Sequence, residues 1–207
     1  DLDIASDGKI YFSDASYKYG YGDDRMEIFE HSPNGRLLVY DPATAKTTTL
    51  LKNLYFANGV ALSGDESFVL VNETNMYRIQ KYWLKGDKAG TSEIFIENLP
   101  GFPDNVSSNK EGIFWVALFN PRNDFVEMSS DKPFLRKMVL RLPISLQPQP
   151  IKHSYVLGID EDGNVVHNLQ YLSDDAYSPI TSVKQYGNDL YFGSLTHAGW
   201  GKIEAPK

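Results

Sequence analysis

Val60-Ala61-Leu62-Ser63-Gly64-Asp65-Glu66-Ser67-Phe68-Val69-Leu70-Val71 reads as strand, tight turn and strand: a short apolar stretch, an acidic turn containing Gly, then an aromatic and β-branched run. The pattern recurs along the chain. Asp7-Gly8-Lys9-Ile10-Tyr11-Phe12, Glu111-Gly112-Ile113-Phe114-Trp115-Val116 and Gly187-Asn188-Asp189-Leu190-Tyr191-Phe192 repeat the turn and the second strand. Leu2-Asp3-Ile4 and Ile180-Thr181-Ser182-Val183 repeat the strand before it. Further pairs lie between these hairpins: Arg36-Leu37-Leu38-Val39-Tyr40 with Thr47-Thr48-Thr49-Leu50-Leu51 across an Asp41-Pro42 turn, and Arg78 to Leu84 with Ser92-Glu93-Ile94-Phe95-Ile96. Two hairpins per repeat make a four-stranded antiparallel blade. At about 40–50 residues per blade, the 207 residues supply about four. The expected fold is therefore all-β, a propeller portion.

Composition agrees with a folded chain, at 42% hydrophobic and 23% charged. Aromatics at 13%, with 16 Gly and 11 Pro acting as punctuation, favour a β toroid over a βαβ sheet. The formal charge of −7 offers no positive field for phosphates, so no nucleic-acid partner is expected. With no Cys, thiolate metal sites, thiol nucleophiles and disulfides are excluded. No apolar run reaches the roughly 18–20 residues that a membrane span needs. Residues 123–137 contain Phe125, Met128, Phe134 and Leu135 and read as an insertion between blades with room for a short helix.

The motifs Gly35-Arg36-Leu37-Leu38-Val39-Tyr40-Asp41-Pro42, Leu54-Tyr55-Phe56-Ala57-Asn58-Gly59-Val60-Ala61-Leu62-Ser63 and Pro100-Gly101-Phe102-Pro103-Asp104-Asn105-Val106 carry a family resemblance. Phe114-Trp115-Val116-Ala117, Tyr82-Trp83-Leu84-Lys85-Gly86 and Leu190-Tyr191-Phe192-Gly193-Ser194-Leu195 extend it over the whole chain. Together they resemble the strictosidine synthase-like family, in its adipocyte plasma membrane-associated protein and haemomucin branch, related to paraoxonases and gluconolactonases. The resemblance implies a six-bladed propeller of which this chain covers about four C-terminal blades. Two earlier blades are then expected upstream of Asp1, and closure of the ring would need them, because unpaired strand edges invite aggregation.

Loops entering the innermost strands of a propeller converge on its channel, and Asn58 and the pair Asp104-Asn105 occupy that place in successive repeats. Amide and carboxylate oxygens suit a hard cation such as calcium, which takes six to eight oxygen ligands. The same dipeptides also suit plain turns, since Asn, Asp and Gly dominate turns for backbone reasons. The resemblance implies calcium on Asn58, Asp104 and Asn105, and it matches Asp1 to the Asp of an Asn-Asp pair in the related proteins. The implied activity is Lewis-acid hydrolysis of a small ester or lactone, as an arylesterase or lactonase performs it, with Asp104 as ligand or base. His197, just past the last inner strand, is the candidate to activate water. His31, His153 and His167 read as structural or solvated.

The name-giving condensation of an amine with an aldehyde uses a Glu near the first strand of the last blade. The resemblance puts that position at about Thr181, whose hydroxyl does not exchange a proton near neutral pH. A non-catalytic interaction or adhesion role stays open, because a propeller fold does not fix function. Asn72-Glu73-Thr74 and Asn105-Val106-Ser107 match the glycosylation pattern but fall in strand or channel contexts. Residues 17–24, Tyr-Lys-Tyr-Gly-Tyr-Gly-Asp-Asp, suit either a channel-mouth loop or packing over the blade top. The resemblance implies a secretory, extracellular or membrane-tethered location, with any anchor outside these residues.

Overall fold

The computed structural model describes residues 1–206 except 21, 130, 131 and 148. Tyr21 of the aromatic loop, and Ser130 and Asp131 of the expected insertion, thus lie outside the described residues. The first sheet runs in chain order through β1 (Leu2–Ile4), β2 (Ile10–Asp14), β3 (Gly35–Asp41) and β4 (Lys46–Leu54). The second has β5 (Ala57–Leu62), β6 (Phe68–Glu73), β7 (Arg78–Trp83) and β8 (Ser92–Ile96). The third has β9 (Gly101–Ser108), β10 (Ile113–Pro121), β11 (His153–Asp160) and β12 (Val165–Leu172). β13 (Ser182–Tyr186), β14 (Asp189–Gly193) and β15 (Gly201–Glu204) form a three-stranded fourth. All neighbouring strands pair antiparallel, so each sheet is a propeller blade.

The blades are held face to face by three hydrophobic clusters. Val69 and Val71 of β6 join Leu37, Leu54 and Leu62 on the first-blade side, whereas Phe68 and Leu70 join Phe114, Val116 and Leu118 on the third-blade side. β10 repeats the division, because Trp115 and Ala117 turn to the fourth blade and pack with Ile180, Val183 and Leu190. Side chains alternate across a strand, so a strand buried on both faces is apolar at every position. That is why Phe68–Val71 and Phe114–Leu118 are unbroken apolar runs. Trp115 is essentially inaccessible, and its indole N–H donates to Gln185 Oε1 at 2.7 Å, tying the third blade to the fourth. Lys81 does the same for the second and third: its ammonium lies over Phe68, Phe95 and Trp83 and donates to the Glu161 carbonyl at 3.1 Å.

Strand direction assigns every connection to one of two faces. The short hairpins at residues 5–9, 63–67, 109–112 and 187–188 lie on one face. The opposite face carries the starts of β1, β5, β9 and β13 and the connections from second to third strand, residues 15–34, 74–77, 122–152 and 194–200. Two of these hold the helices α1 (Asp24–Glu30), α2 (Asp124–Met128) and α3 (Pro133–Leu140), and α1 packs on α3. The expected insertion is therefore helical, but it sits inside the third blade rather than between blades. Asn123 starts it by accepting from the main-chain N–H groups of Phe125 and Val126, a side-chain N-cap.

Candidate functional site

Two register shifts build the site. Between β5 and β6, Ala57 faces Glu73 and Val60 faces Val71, so Asn58-Gly59 fall in a bulge. Between β9 and β10, Pro103 faces Leu118 and Val106 faces Val116, and Asp104-Asn105 fall in a bulge at the equivalent place. An extra residue on one strand re-aims side chains and ends regular pairing locally. Asn58 and Asp104-Asn105 are thus strand residues in bulges, not turns. Phe56, at φ 58°, swings the chain from β4 into β5 just ahead of Asn58.

The two bulges press against each other. A Cβ on Gly59 would lie 2.4 Å from Val106 N and 2.6 Å from the Asp104 carbonyl oxygen, so only Gly allows this approach of main chain to main chain. The Asn72 side-chain amide donates to the Asp104 carbonyl at 2.7 Å, and the Thr74 hydroxyl donates to the Pro103 carbonyl at 2.7 Å. Thr74 also accepts from Asn58 Nδ2 at 3.3 Å, which turns the Asn58 amide oxygen the other way. Glu73, fully buried, accepts from Tyr55 N at 3.0 Å beside the end of the first blade, and from Arg78 Nε at 2.5 Å and Gln80 Nε2 at 2.9 Å within its own blade. The triplet that matches a glycosylation pattern is therefore an inter-blade clamp around the site. Asn72 is fully buried and holds no glycan in the folded chain.

The outer blades reach the same level. Asp1 accepts from Val60 N at 3.0 Å and from Leu2 N at 2.8 Å, so its carboxylate stitches the start of β1 to β5. On the other side Asn105 N donates to the Thr181 carbonyl at 3.1 Å. Asp1, Asn58, Asp104 and Asn105 are thus brought together on the inner strands of three adjacent blades. Thr181 is buried beside them with its hydroxyl on the Gly193 carbonyl at 3.3 Å. His197 lies on the same face in the connection from β14 to β15, exposed, with its ring 4.6 Å from that of Tyr177 and its main-chain N–H on Ser194 Oγ. His153 stacks on Tyr155, His167 on Trp115, and His31 packs on Tyr55 with its imidazole pushed down by burial.

Asn58, Asp104, Asn105 and Asp1 offer amide and carboxylate oxygens, the hard donors calcium prefers, and the Asn72 Oδ1 beside Asp104 is buried without a hydrogen-bond partner. No cluster of three or more His, Cys, Asp or Glu suited to a metal occurs among the described residues. The donor chemistry of the set, two amides and two carboxylates, is of the kind that suits a hard cation.

Sequence reasoning missed Glu27. It lies on α1, wholly buried, and takes hydrogen bonds from Ser16 Oγ at 2.7 Å and Asn34 Nδ2 at 3.1 Å. With Asp14, Ala15, Ser16, Tyr19, Gly20 and Phe56 it lines a cavity of about 230 Å³ on the bulge face. Burial raises its carboxyl above the ordinary range, against the opposing hydrogen bonds of Ser16 and Asn34. A raised folded value means that the fold favours the protonated form. Its contribution to stability is complete in acid, below the unfolded value, and is lost as pH rises through the folded one. Glu27→Gln is accordingly expected to melt above wild type at pH 8. Melting curves from pH 8 down to pH 4 check this, with the gap closing in acid.

Four antiparallel blades packed side by side, with oxygen-bearing side chains in paired bulges at the inner-strand starts, define a β-propeller arrangement. The strictosidine synthase family model matches residues 1–87. The chain is 39% identical over 196 residues to strictosidine synthase-like protein 6 of Arabidopsis thaliana, covering 94% of this chain and 51% of that protein. It is 36% identical over 202 residues to adipocyte plasma membrane-associated protein of Rattus norvegicus, covering 94% and 54%. The chain is thus strictosidine synthase-like, and it spans about half the length of these curated relatives. Among solved structures, a gluconolactonase of Xanthomonas campestris superposes with a TM-score of 0.58 at 15% identity, over 92% of this chain and 52% of that one. A calcium-binding regucalcin of Agrobacterium tumefaciens gives 0.56 at 15%, over 95% and 52%. At such identity these two speak for the fold.

Proposed function

We propose that the protein is a calcium-dependent hydrolase of small esters or lactones, with Asn58, Asp104 and Asn105 as oxygen donors. The observation that carries this reading is the pair of equivalent bulges, which set Asn58 and the Asp104-Asn105 pair at the same inner-strand position of adjacent blades. A bound divalent cation would polarise the substrate carbonyl and stabilise its developing negative charge. Asp104, the acidic residue within the β9 bulge, serves as ligand or general base. Asp1 supports it from β1, while Asn72 and Thr74 fix the bulge through main-chain carbonyls. His197 stands on the same face as the second candidate to activate water. A lactonase-like reading is also in keeping with the names of the gluconolactonase and regucalcin neighbours.

Amine-aldehyde condensation is disfavoured, since Thr181 brings no titratable group to the position implied for the catalytic Glu. The test is hydrolysis of an aryl ester and lactone panel with calcium, after chelation, and after calcium is restored. Activity that disappears and returns supports the proposal, and activity indifferent to the chelator refutes it.

A further inference from the structure

An Asn side chain carries an acceptor at one end of its amide and a donor at the other, so a half-turn about its last bond changes a ligand for cations into a donor for anions. At Asn58 the neighbouring Thr74 removes that ambiguity. The pairing of Ala57 with Glu73 sets Thr74 beside the β5 bulge, and its main-chain N–H donates to the Phe56 carbonyl at 3.1 Å. Its hydroxyl lies 2.7 Å from the Pro103 carbonyl oxygen of β9. A carbonyl only accepts, so the single hydroxyl proton is committed there and lone pairs alone remain on the hydroxyl oxygen. Toward Asn58, 3.3 Å away, Thr74 can then only accept. The Asn58 amide must present Nδ2 to it, and Oδ1 is the end turned away. The reverse orientation would set two acceptors against each other. Thr74 is 4% exposed, so water is not at hand to relieve that clash.

We propose that Thr74 is a positioning residue that fixes the polarity of the Asn58 amide, so that Asn58 offers its oxygen to a hard cation instead of an N–H to a substrate oxyanion. The inference rests on the cation reading above and adds the group that sets one of its ligands. Pro103 lies on the strand that carries Asp104 and Asn105, so one hydroxyl ties the orientation of the β5 donor to the placement of the β9 pair. Removing the hydroxyl frees the amide to turn, and the cation then meets Nδ2 in a share of the molecules.

The test pairs calcium affinity by titration calorimetry with hydrogen exchange of the Asn58 side-chain amide by NMR, on wild type, Thr74→Val and Thr74→Ser. Val keeps the branched shape but neither donates nor accepts, whereas Ser keeps the hydroxyl. Thr74→Val is expected to bind calcium about 10–100-fold more weakly, the range for losing a group that orients a metal ligand, and to lose protection of the Asn58 amide protons. Thr74→Ser is expected to match wild type in both measurements. The Asn58→Asp background separates orientation from packing, because a carboxylate offers oxygen at both ends. There Thr74→Val is expected to leave calcium affinity unchanged. An equal loss in both backgrounds overturns the proposal. So do Asn58 amide protons that exchange freely in wild type, a measurement that needs no variant to fold. A wild type that takes no calcium, with an Asn58 amide protected only when Thr74 is present, refutes the cation reading and upholds the orientation.

Discussion

Gly59→Ala is expected to be the most damaging single-methyl change in the chain. The new Cβ would stand 2.4 Å from Val106 N, 2.6 Å from the Asp104 carbonyl oxygen and 2.7 Å from the Asn105 carbonyl carbon. All three are main-chain atoms of β9, so no side chain can rotate away, and relief requires the second and third blades to part. Overpacking of this kind costs about 3 kcal/mol, or about 6–12 °C in melting temperature for a chain of this size. Gly20→Ala is the control, since nothing lies within 4 Å of its added Cβ, and it is expected to change stability by less than about 0.5 kcal/mol. Thermal unfolding of the pair checks the claim that the two bulges are in main-chain contact. A Gly59→Ala protein that melts with wild type contradicts it.

The second large effect falls on activity. Asp104→Asn keeps the size and planarity of the side chain but removes its charge and its capacity as a base. The Asn72 clamp grips the main-chain carbonyl of residue 104, which the substitution leaves in place. Folding is therefore expected to survive while ester or lactone turnover falls by about 10²–10⁴-fold, the range for a positioned acid–base group. Matched steady-state kinetics on the two proteins measure this. A variant retaining more than about a tenth of wild-type turnover would remove Asp104 from the proposed chemistry.

Much of the fold was legible because its signals are local. Gly64-Asp65-Glu66-Ser67 announces a turn through backbone preference, and the doubly apolar runs of β6 and β10 announce burial on two sides. These hairpins lie on the face away from the site. The site face was harder to read because its geometry comes from contacts between blades. Nothing in Asn58-Gly59 or Asp104-Asn105 separates a turn from a bulge; the difference is imposed when β5 meets β9 across Gly59. Asn72 and Thr74 likewise fit a glycosylation pattern until their partners, the carbonyls of residues 104 and 103, are brought 2.7 Å away by the neighbouring blade. Glu27 gave no signal, since a seven-residue helix has too short a period to reveal which side is buried. In α3 the outward Phe134 and inward Arg136 invert the usual pattern, so periodicity alone would bury the wrong face.

The central claim is that the paired bulges form one cation site. Calcium titration of wild type and Asp104→Asn, followed by thermal unfolding, tests it most directly, because a ligand that binds only the folded state raises its melting temperature. A saturable rise is predicted for wild type, with no rise for Asp104→Asn. Equal rises in both proteins, or none in wild type, would contradict the claim.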